Sequence, residues 1–161
     1  MLRLTGGRGY RAANVFTESA ALMASSRSVN VLETLKAEVS WNYGVSASHK
    51  FKILGREASV YASFYRTDFE NQVVVDLDQD VQSANIYNLN GASYSNSLQT
   101  EFGIEPVKRF QIKAAYKWND VRMTTAGSLR TKALVKRHKF LTTFSYATNF
   151  NKWQFDLSFH V

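Results

Sequence analysis

The sequence predicts an all-β fold, an antiparallel up-and-down meander of about seven long strands that forms part of a transmembrane β-barrel. Three observations support this fold class. Apolar and polar residues alternate along most of the chain, several alternating stretches exceed the usual strand length of about 5–6 residues, and short turns alternate with longer connections. In outer-membrane barrels this alternation separates a lipid-facing surface from a polar interior.

The longest alternating stretch runs from Ala37 to Ile53. Successive strand side chains point to opposite faces, so the stretch predicts one strand with an apolar and a polar face. A membrane-spanning strand needs about 9–11 residues, which this stretch exceeds. The apolar positions are Ala37, Val39, Trp41, Tyr43, Val45, Ala47, His49, Phe51 and Ile53, and the polar positions are Glu38, Ser40, Asn42, Gly44, Ser46, Ser48, Lys50 and Lys52.

Six further stretches of the chain alternate in the same way. They are residues 1–9, 58–75, 94–105, 110–119, 139–146 and 153–161. Short turns are predicted near Gly55, Pro106 and Asn149. The longer connections are 12–34, 76–90 and 124–131, of which 76–90 is predicted to be a solvated loop.

The connection 12–34 lacks the period of two. Phe16, Ala20 and Met23 recur at helical spacing, with Thr17 or Ser19 as the cap. We therefore expect at most a short helix within this loop.

One face of the predicted sheet is expected to be lipid-facing. Its members are Val39, Trp41, Val45, Phe51, Phe102, Ile112, Tyr116, Phe155 and Phe159. Arg66, Asp68 and Glu70 continue the face that carries Val60 and Phe64, so this face is predicted to pass from hydrocarbon into water there. Aromatic residues near strand ends suit the membrane interfaces, namely Trp41, Tyr43, Tyr116, Trp118, Tyr146 and Trp153.

The composition leaves the compartment open. The chain has 161 residues, a net charge of +7 and no cysteine. The charge suits nucleic acid, an anionic surface or a polar barrel interior, and the missing cysteines exclude disulfides and thiolate metal sites. The sequence contains no stretch of about 18 apolar residues, so no transmembrane helix is predicted. The first residues lack the apolar core of a signal peptide.

The chain is expected to be truncated at both ends. The last alternating stretch stops at an apolar residue with no turn after it. Bacterial single-chain barrels have an even number of strands, and an open sheet in lipid leaves unpaired backbone groups that cost several kcal/mol each. The remaining strands are therefore expected elsewhere.

No catalytic, metal or cofactor site is predicted. His49, His138 and His160 lie on different strands without ligand spacing. No nucleophile elbow or serine–histidine–aspartate grouping is present, and Gly6–Gly9 lacks the ending of a phosphate-binding loop. Glu101 and Glu105 would lie about 13–14 Å apart along one strand, too far for a carboxylate pair. The chain is therefore not expected to be an enzyme.

The densest positive charge lies between Lys132 and Lys139. A nucleic-acid surface would have aromatic residues on the same face as the cations. Here Phe140, Phe144 and Tyr146 alternate with the polar residues instead. A basic loop stem near anionic lipid or an anionic ligand fits better, and no nucleic-acid partner is expected.

Three segments, in this order, resemble the C-terminal barrel half of TonB-dependent outer-membrane receptors. They are Gly9-Tyr10-Arg11-Ala12-Ala13-Asn14, Leu35-Lys36-Ala37-Glu38-Val39-Ser40-Trp41-Asn42-Tyr43, and Phe64-Tyr65-Arg66-Thr67-Asp68-Phe69-Glu70-Asn71-Gln72-Val73-Val74. In that family, proline stands where this chain has Ala13 and Ala37. The stretch from Tyr87 to the strand with Gln99-Thr100-Glu101 resembles the family's return strand after a surface loop, so the resemblance covers essentially all 161 residues.

The resemblance implies a plugged barrel of about 22 strands in the outer membrane of a Gram-negative bacterium. Residues 1–161 would be a partial receptor barrel domain that supplies about seven strands. The implied function is energised uptake of a scarce nutrient such as a ferric siderophore, haem or cobalamin. The implied partners are outer-membrane lipid, the rest of the barrel and plug, TonB through that plug, and the small nutrient ligand. The motifs look structural and identify no ligand-binding residue.

Two alternatives to a TonB-dependent receptor remain. A passive porin-type barrel would show the same alternation but not the same succession of motifs. A soluble basic β-protein that binds an anionic partner would need a second apolar layer over the aromatic face, and it would not depend on detergent.

Overall fold

The computed structural model describes residues 1–18, 20–77 and 79–161, and it is an all-β protein. The predicted cap Ser19 and the loop residue Asp78 lie outside the described residues. The strands are β1 (Leu2–Arg11), β2 (Ser28–Val31), β3 (Glu38–Ile53), β4 (Arg56–Asn71), β5 (Val73–Asp76), β6 (Ser83–Asn88), β7 (Ser93–Val107), β8 (Phe110–Thr125), β9 (Ser128–Thr131), β10 (His138–Ala147) and β11 (Gln154–His160). The helices are α1 (Val15–Glu18), α2 (Ala20–Met23) and a 3₁₀ turn at Asn149–Asn151.

Seven long strands form one antiparallel sheet, which confirms the predicted meander. Their order is β1-β3-β4-β7-β8-β10-β11, and β9 pairs with the end of β8. Each long strand therefore lies beside the next long strand of the chain. Within the described residues the sheet does not close on itself, because β1 and β11 each have one neighbour.

Short turns join the long strands at one end of the sheet, which we call the turn end. Leu54 and Gly55 both have positive φ angles, 50° and 78°, as a two-residue type I′ hairpin requires. Pro106 lies within β7, at a shift in the pairing with β8, and the chain turns just after it with Arg109 at φ 69°. The third turn contains the 3₁₀ turn.

The longer connections meet at the opposite end, the loop end, and they contain more structure than the sequence predicted. β2, β6 and β5 form a second sheet, with β2 parallel and β5 antiparallel to β6. The prediction of a solvated loop over 76–90 is therefore wrong, because Ala84 and Ile86 of β6 are buried within this small sheet. The connection 124–131 is likewise a hairpin, in which β9 pairs with β8 around Ala126 and Gly127.

The buried apolar residues lie mainly at the loop end. They are Val15, Leu22, Val74, Ala84 and Ile86, with Ala58 in the large sheet. The two short helices, α1 and α2, confirm the predicted short helical segment. None of the described helices is long and apolar enough to cross a membrane. The large sheet thus carries almost no buried apolar residue.

Candidate functional site

The register of the large sheet sorts its side chains into an apolar and a polar face. Leu4, Val45, Phe64, Leu98 and Trp118 are successive cross-strand partners and so lie on one side. The same register assigns all the residues predicted for the lipid-facing side to this face, which confirms that they share it. The apolar face, as we use the term, comprises Leu2, Leu4, Val39, Trp41, Tyr43, Val45, Phe51, Val60, Phe64, Leu98, Phe102, Ile112, Tyr116, Trp118, Phe140, Phe144, Tyr146, Phe155, Leu157 and Phe159.

Much of the apolar face is accessible in this chain. Trp41 is 45% exposed, Phe140 46% and Phe155 59%. Contiguous apolar patches of this kind are rare on monomeric soluble proteins and mark contact with a membrane or a partner. The apolar face is therefore the first candidate functional surface.

The opposite, polar face is built from serine, asparagine, glutamine and lysine residues with a few aromatics. It comprises Ser40, Asn42, Ser46, Lys50, Ser59, Tyr61, Ser63, Tyr65, Ser95, Ser97, Gln99, Glu101, Gln111, Lys113, Lys117, Asn119, Lys139, Thr143, Gln154, Asp156, Ser158 and His160. No layer of described residues covers this face either. Its polarity suits direct contact with water.

The apolar face ends at the loop end in an ion-paired group that we call the rim cluster. It comprises Arg8, Trp41, Tyr43, Arg66, Asp68 and Glu70. Glu70 accepts hydrogen bonds from Arg8 and from the indole Nε1 of Trp41, the latter at 2.6 Å. Asp68 accepts from the Tyr43 hydroxyl and from Arg66, whose Nη2 lies 2.7 Å from Oδ1. Each arginine of the rim cluster therefore has a carboxylate partner.

The rim cluster lies where the sequence predicted that this face enters water. Arg66 also stacks over the ring of Tyr94, with Cζ 4.8 Å from the ring centroid. Beside it on β8, Arg122 Nε lies 3.2 Å from Asp120 Oδ1. Paired charges of this kind, beside aromatic rings, suit the boundary between hydrocarbon and water.

The apolar band below the rim has a measurable height. On β8 it runs from Phe110 to Trp118, nine residues of regular strand. At a rise of about 3.4 Å per residue this is roughly 27 Å along the strand. A strand tilt of about 35–45° would reduce that to a height of roughly 21 Å, close to the ~25 Å band of outer-membrane barrels.

Polar side chains attach the small sheet to the loop end. Glu38, which is buried at the start of β3, accepts hydrogen bonds from Arg11 Nε at 2.6 Å and from the Val73 backbone N–H at 2.9 Å. The Asn88 side chain accepts from the Lys36 N–H and donates to the Thr34 carbonyl. These bonds connect β1, β3, β5 and β6.

A buried carboxylate lies inside the small sheet. Asp76 is 1% exposed and accepts hydrogen bonds from the Tyr87 hydroxyl at 3.0 Å and from Gln79 Nε2 at 2.9 Å. Burial, together with the neighbouring Asp76, raises the pKa of Tyr87. Sequence reasoning missed this site, because Asp76 opens a run of acidic residues that is typical of a loop.

The three histidines lie apart. His49 stacks on Phe51 on the apolar face, and His138 hydrogen-bonds the Tyr116 hydroxyl on the same face at 2.8 Å. His160 lies on the polar face of β11. In the part of the chain that the structure describes, no group of three histidine, aspartate or glutamate side chains is placed to hold a metal.

The two glutamates of β7 also have separate partners. Glu101 accepts from Gln99 Nε2 at 2.6 Å, whereas Glu105 accepts from the Arg109 N–H at the turn. They do not form a pair.

The basic run 132–139 divides between the two faces. His138 turns to the apolar face and Lys139 to the polar face, while Lys136 remains in the connection before β10. Sequence alone could not identify the neighbours of these cations, since the neighbours depend on how β10 pairs with β8.

The family described as Domain of unknown function (DUF5916) matches residues 9–161. Comparison with curated proteins and with solved structures finds no significant match. The matched range contains the end of β1 and every element that follows it. The chain therefore belongs to the DUF5916 family.

Proposed function

We propose that this chain is a wall segment of an outer-membrane β-barrel, with the apolar face toward lipid and the polar face toward water. The observation that carries the proposal is the continuity of the apolar face across all seven long strands, opposite an equally continuous polar face. Backbone groups in lipid must be satisfied internally, so β-strands can span a membrane only as part of a closed barrel.

The boundary of the apolar face supports this placement. The band on β8 is about as tall as a bilayer strand requires, and the rim cluster begins where the band ends. Trp41 and Tyr43 belong both to the apolar face and to the rim cluster. Their rings lie on the apolar face, while the Trp41 indole N–H donates to Glu70 and the Tyr43 hydroxyl donates to Asp68. Amphipathic rings of this kind favour the headgroup level.

We further propose that the whole protein takes up a scarce nutrient by an energised, TonB-dependent route. The support is the succession of three motifs that resemble the barrel half of such receptors. The rest of the barrel, a plug, outer-membrane lipid, TonB and a small nutrient would then be its partners. The DUF5916 match neither names a ligand nor assigns this activity.

The membrane placement is tested with probes on two adjacent residues of β8. The chain contains no cysteine, so Ile112→Cys and Gln111→Cys can each be labelled in a cysteine-free version of the full-length protein. In liposomes with spin-labelled acyl chains, we expect quenching of a fluorophore at 112 and little at 111. Equal quenching at both positions would contradict the proposal. Protection of position 112, but not 111, from a water-soluble thiol reagent in plain buffer without lipid or detergent would favour a soluble protein whose apolar face is covered.

The uptake proposal is tested separately in whole cells. Accumulation of labelled ferric siderophores, haem or cobalamin is compared between cells with and without the full-length protein, before and after the proton-motive force is dissipated. We expect accumulation that stops on dissipation. Uptake that continues unchanged would instead indicate a passive porin-type barrel.

A further inference from the structure

The β8–β10–β11 side of the large sheet carries a group of basic side chains, which we call the basic groove. It comprises Lys117, Lys136, Lys139 and His160. Lys117 and Lys139 are direct cross-strand partners on the same face. Like charges directly opposite each other repel and destabilise a sheet. A negative charge beside the two lysines would reduce this repulsion.

None of the ion pairs in the described part of the chain supplies such a charge. These ion pairs are made by arginines, namely Arg8, Arg11, Arg66 and Arg122, each with a carboxylate. Two carboxylates on the polar face of this part of the sheet accept hydrogen bonds from amides, Glu101 from Gln99 and Asp156 from Gln154. Lys117, Lys136 and Lys139 form no ion pair with any described residue.

The basic groove has room for a ligand. Its volume is about 450 Å³, and Gln99, Ala115 and Leu141 border it on the polar face. Its lining also reaches Tyr116, Phe140 and Val161 at the edge of the sheet. Ala115 and Leu141 are cross-strand partners, so a short side chain lies beside the lysine pair where a longer one would fill the space. An organic anion could place its hydrocarbon part on this floor.

Hydrogen bonds hold the mouth of the groove in position. Asn119 accepts from the Ser97 hydroxyl at 3.1 Å, and its Nδ2 donates to the Lys136 carbonyl at 3.3 Å. The Asn119 N–H donates to the Arg137 carbonyl at 2.8 Å. These bonds fix the backbone at Lys136 next to β8, near Lys117, in the chain without a ligand.

We propose that the basic groove binds a small soluble anion with phosphate or carboxylate groups. Lysine ammonium groups are compact charges that bind such oxygens through charge-assisted hydrogen bonds. Lys117 and Lys139 lie on the polar face, whose side chains suit contact with water, so the ligand is assigned as a soluble one. The inference depends on the register of β8, β10 and β11 and not on the proposed membrane placement.

The test uses the full-length protein in a non-ionic detergent, with inorganic phosphate as the probe and chloride holding the ionic strength constant. Lys117→Gln and Lys139→Gln are each expected to weaken phosphate binding, measured by calorimetry, by about tenfold, as expected for loss of one charge-assisted hydrogen bond. Lys50→Gln is the matched control, since it removes the same charge from the same face on β3. It is expected to change the affinity by less than about twofold.

A second measurement is thermal unfolding, and its first comparison needs no ligand. Without phosphate, Lys139→Gln removes the repulsion and is expected to raise the unfolding temperature, whereas phosphate is expected to raise that of the parent. Absence of phosphate binding, equal weakening by Lys50→Gln, or a lower unfolding temperature for Lys139→Gln would each overturn the proposal. Competition by phosphatidylglycerol vesicles, but not by phosphatidylcholine vesicles, would overturn the assignment to a soluble anion.

Discussion

Gly44 on β3 shows how a single residue shapes the polar face. Its cross-strand partner on β4 is Tyr65, whose ring lies over the glycine backbone. A Cβ atom at position 44 would lie 2.6 Å from Tyr65 Cε1 and 2.9 Å from the Phe64 carbonyl oxygen. Glycine is therefore needed here for space, and the ring compensates for the missing side chain.

Gly44→Ala is expected to destabilise the folded protein by about 1–3 kcal/mol, because the ring and the strand must move apart. Gly103→Ala on β7 is the control, since the nearest atom to its Cβ would be the Ser59 hydroxyl oxygen at 3.1 Å, which can rotate away. The measurement is urea unfolding of the full-length protein in liposomes. Equal losses at the two glycines would show that the Tyr65 ring does not require Gly44.

Ala114 and Ala115 on β8 provide the sharpest comparison between the two faces. Ala114 is the partner of Phe102 on the apolar face, and Ala115 is the partner of Glu101 on the polar face. If the apolar face meets lipid, Ala114→Arg should cost roughly 2–4 kcal/mol near the bilayer midplane, and Ala115→Arg much less. The fraction folded in liposomes under urea measures both. Similar losses would mean that neither face contacts hydrocarbon.

At the scale of elements, the carboxylate of Asp80 attaches the connection between β5 and β6 to the start of β6. Asp80 Oδ1 accepts a hydrogen bond from the Gln82 N–H at 3.0 Å, and Oδ2 accepts from the Ser83 hydroxyl at 2.9 Å. These bonds favour the charged form, so they hold the pKa of Asp80 below its ordinary value. They join the connection to the start of β6, which forms the centre of the small sheet.

This carboxylate makes the small sheet sensitive to acid. Because the folded-state pKa of Asp80 lies below the unfolded value of about 3.9, the stabilisation is fully present above that value and is lost as the pH falls through the folded pKa. A side-chain NMR titration should give a midpoint below that of the urea-unfolded chain. In Ser83→Ala the midpoint should move toward the unfolded value. Identical midpoints in the folded and unfolded protein would contradict the proposed role of these bonds.

The elements differ in how far the sequence predicted them. The long strands were predicted because each holds its alternation over many residues. The small sheet was missed because β2 and β5 have four residues each and β6 has six, too few to establish a period. Its core also needs a partner that is distant in sequence, since Val31 pairs with Ile86.

At the scale of the whole molecule, the large sheet exposes both an apolar face and two edges. Among the described residues, β1 and β11 pair on one side only. Unpaired edges and large apolar patches both promote association in water. The small sheet, which holds three of the six buried apolar residues among those described, lies at one end and covers neither face.

The chain expressed alone is therefore expected to aggregate in plain buffer and to require detergent for solubility. Sedimentation and size-exclusion chromatography, with and without detergent, measure this. A variant with a charge removed from the polar face, such as Lys50→Gln, should behave in the same way. A monodisperse monomer that unfolds cooperatively without detergent would favour the soluble alternative over a barrel segment.

The sequence by itself determined the strand class, the two faces and the turn positions, because side-chain direction in a strand depends only on position along its own backbone. Trp41 and Asn42 point to opposite sides whichever strands lie beside them. The tertiary structure alone decided the contacts between distant segments: Lys117 opposite Lys139, Arg8 on Glu70, and Asp76 inside the small sheet. Each of these depends on register between strands that lie far apart in sequence, and a local pattern does not specify register between distant strands.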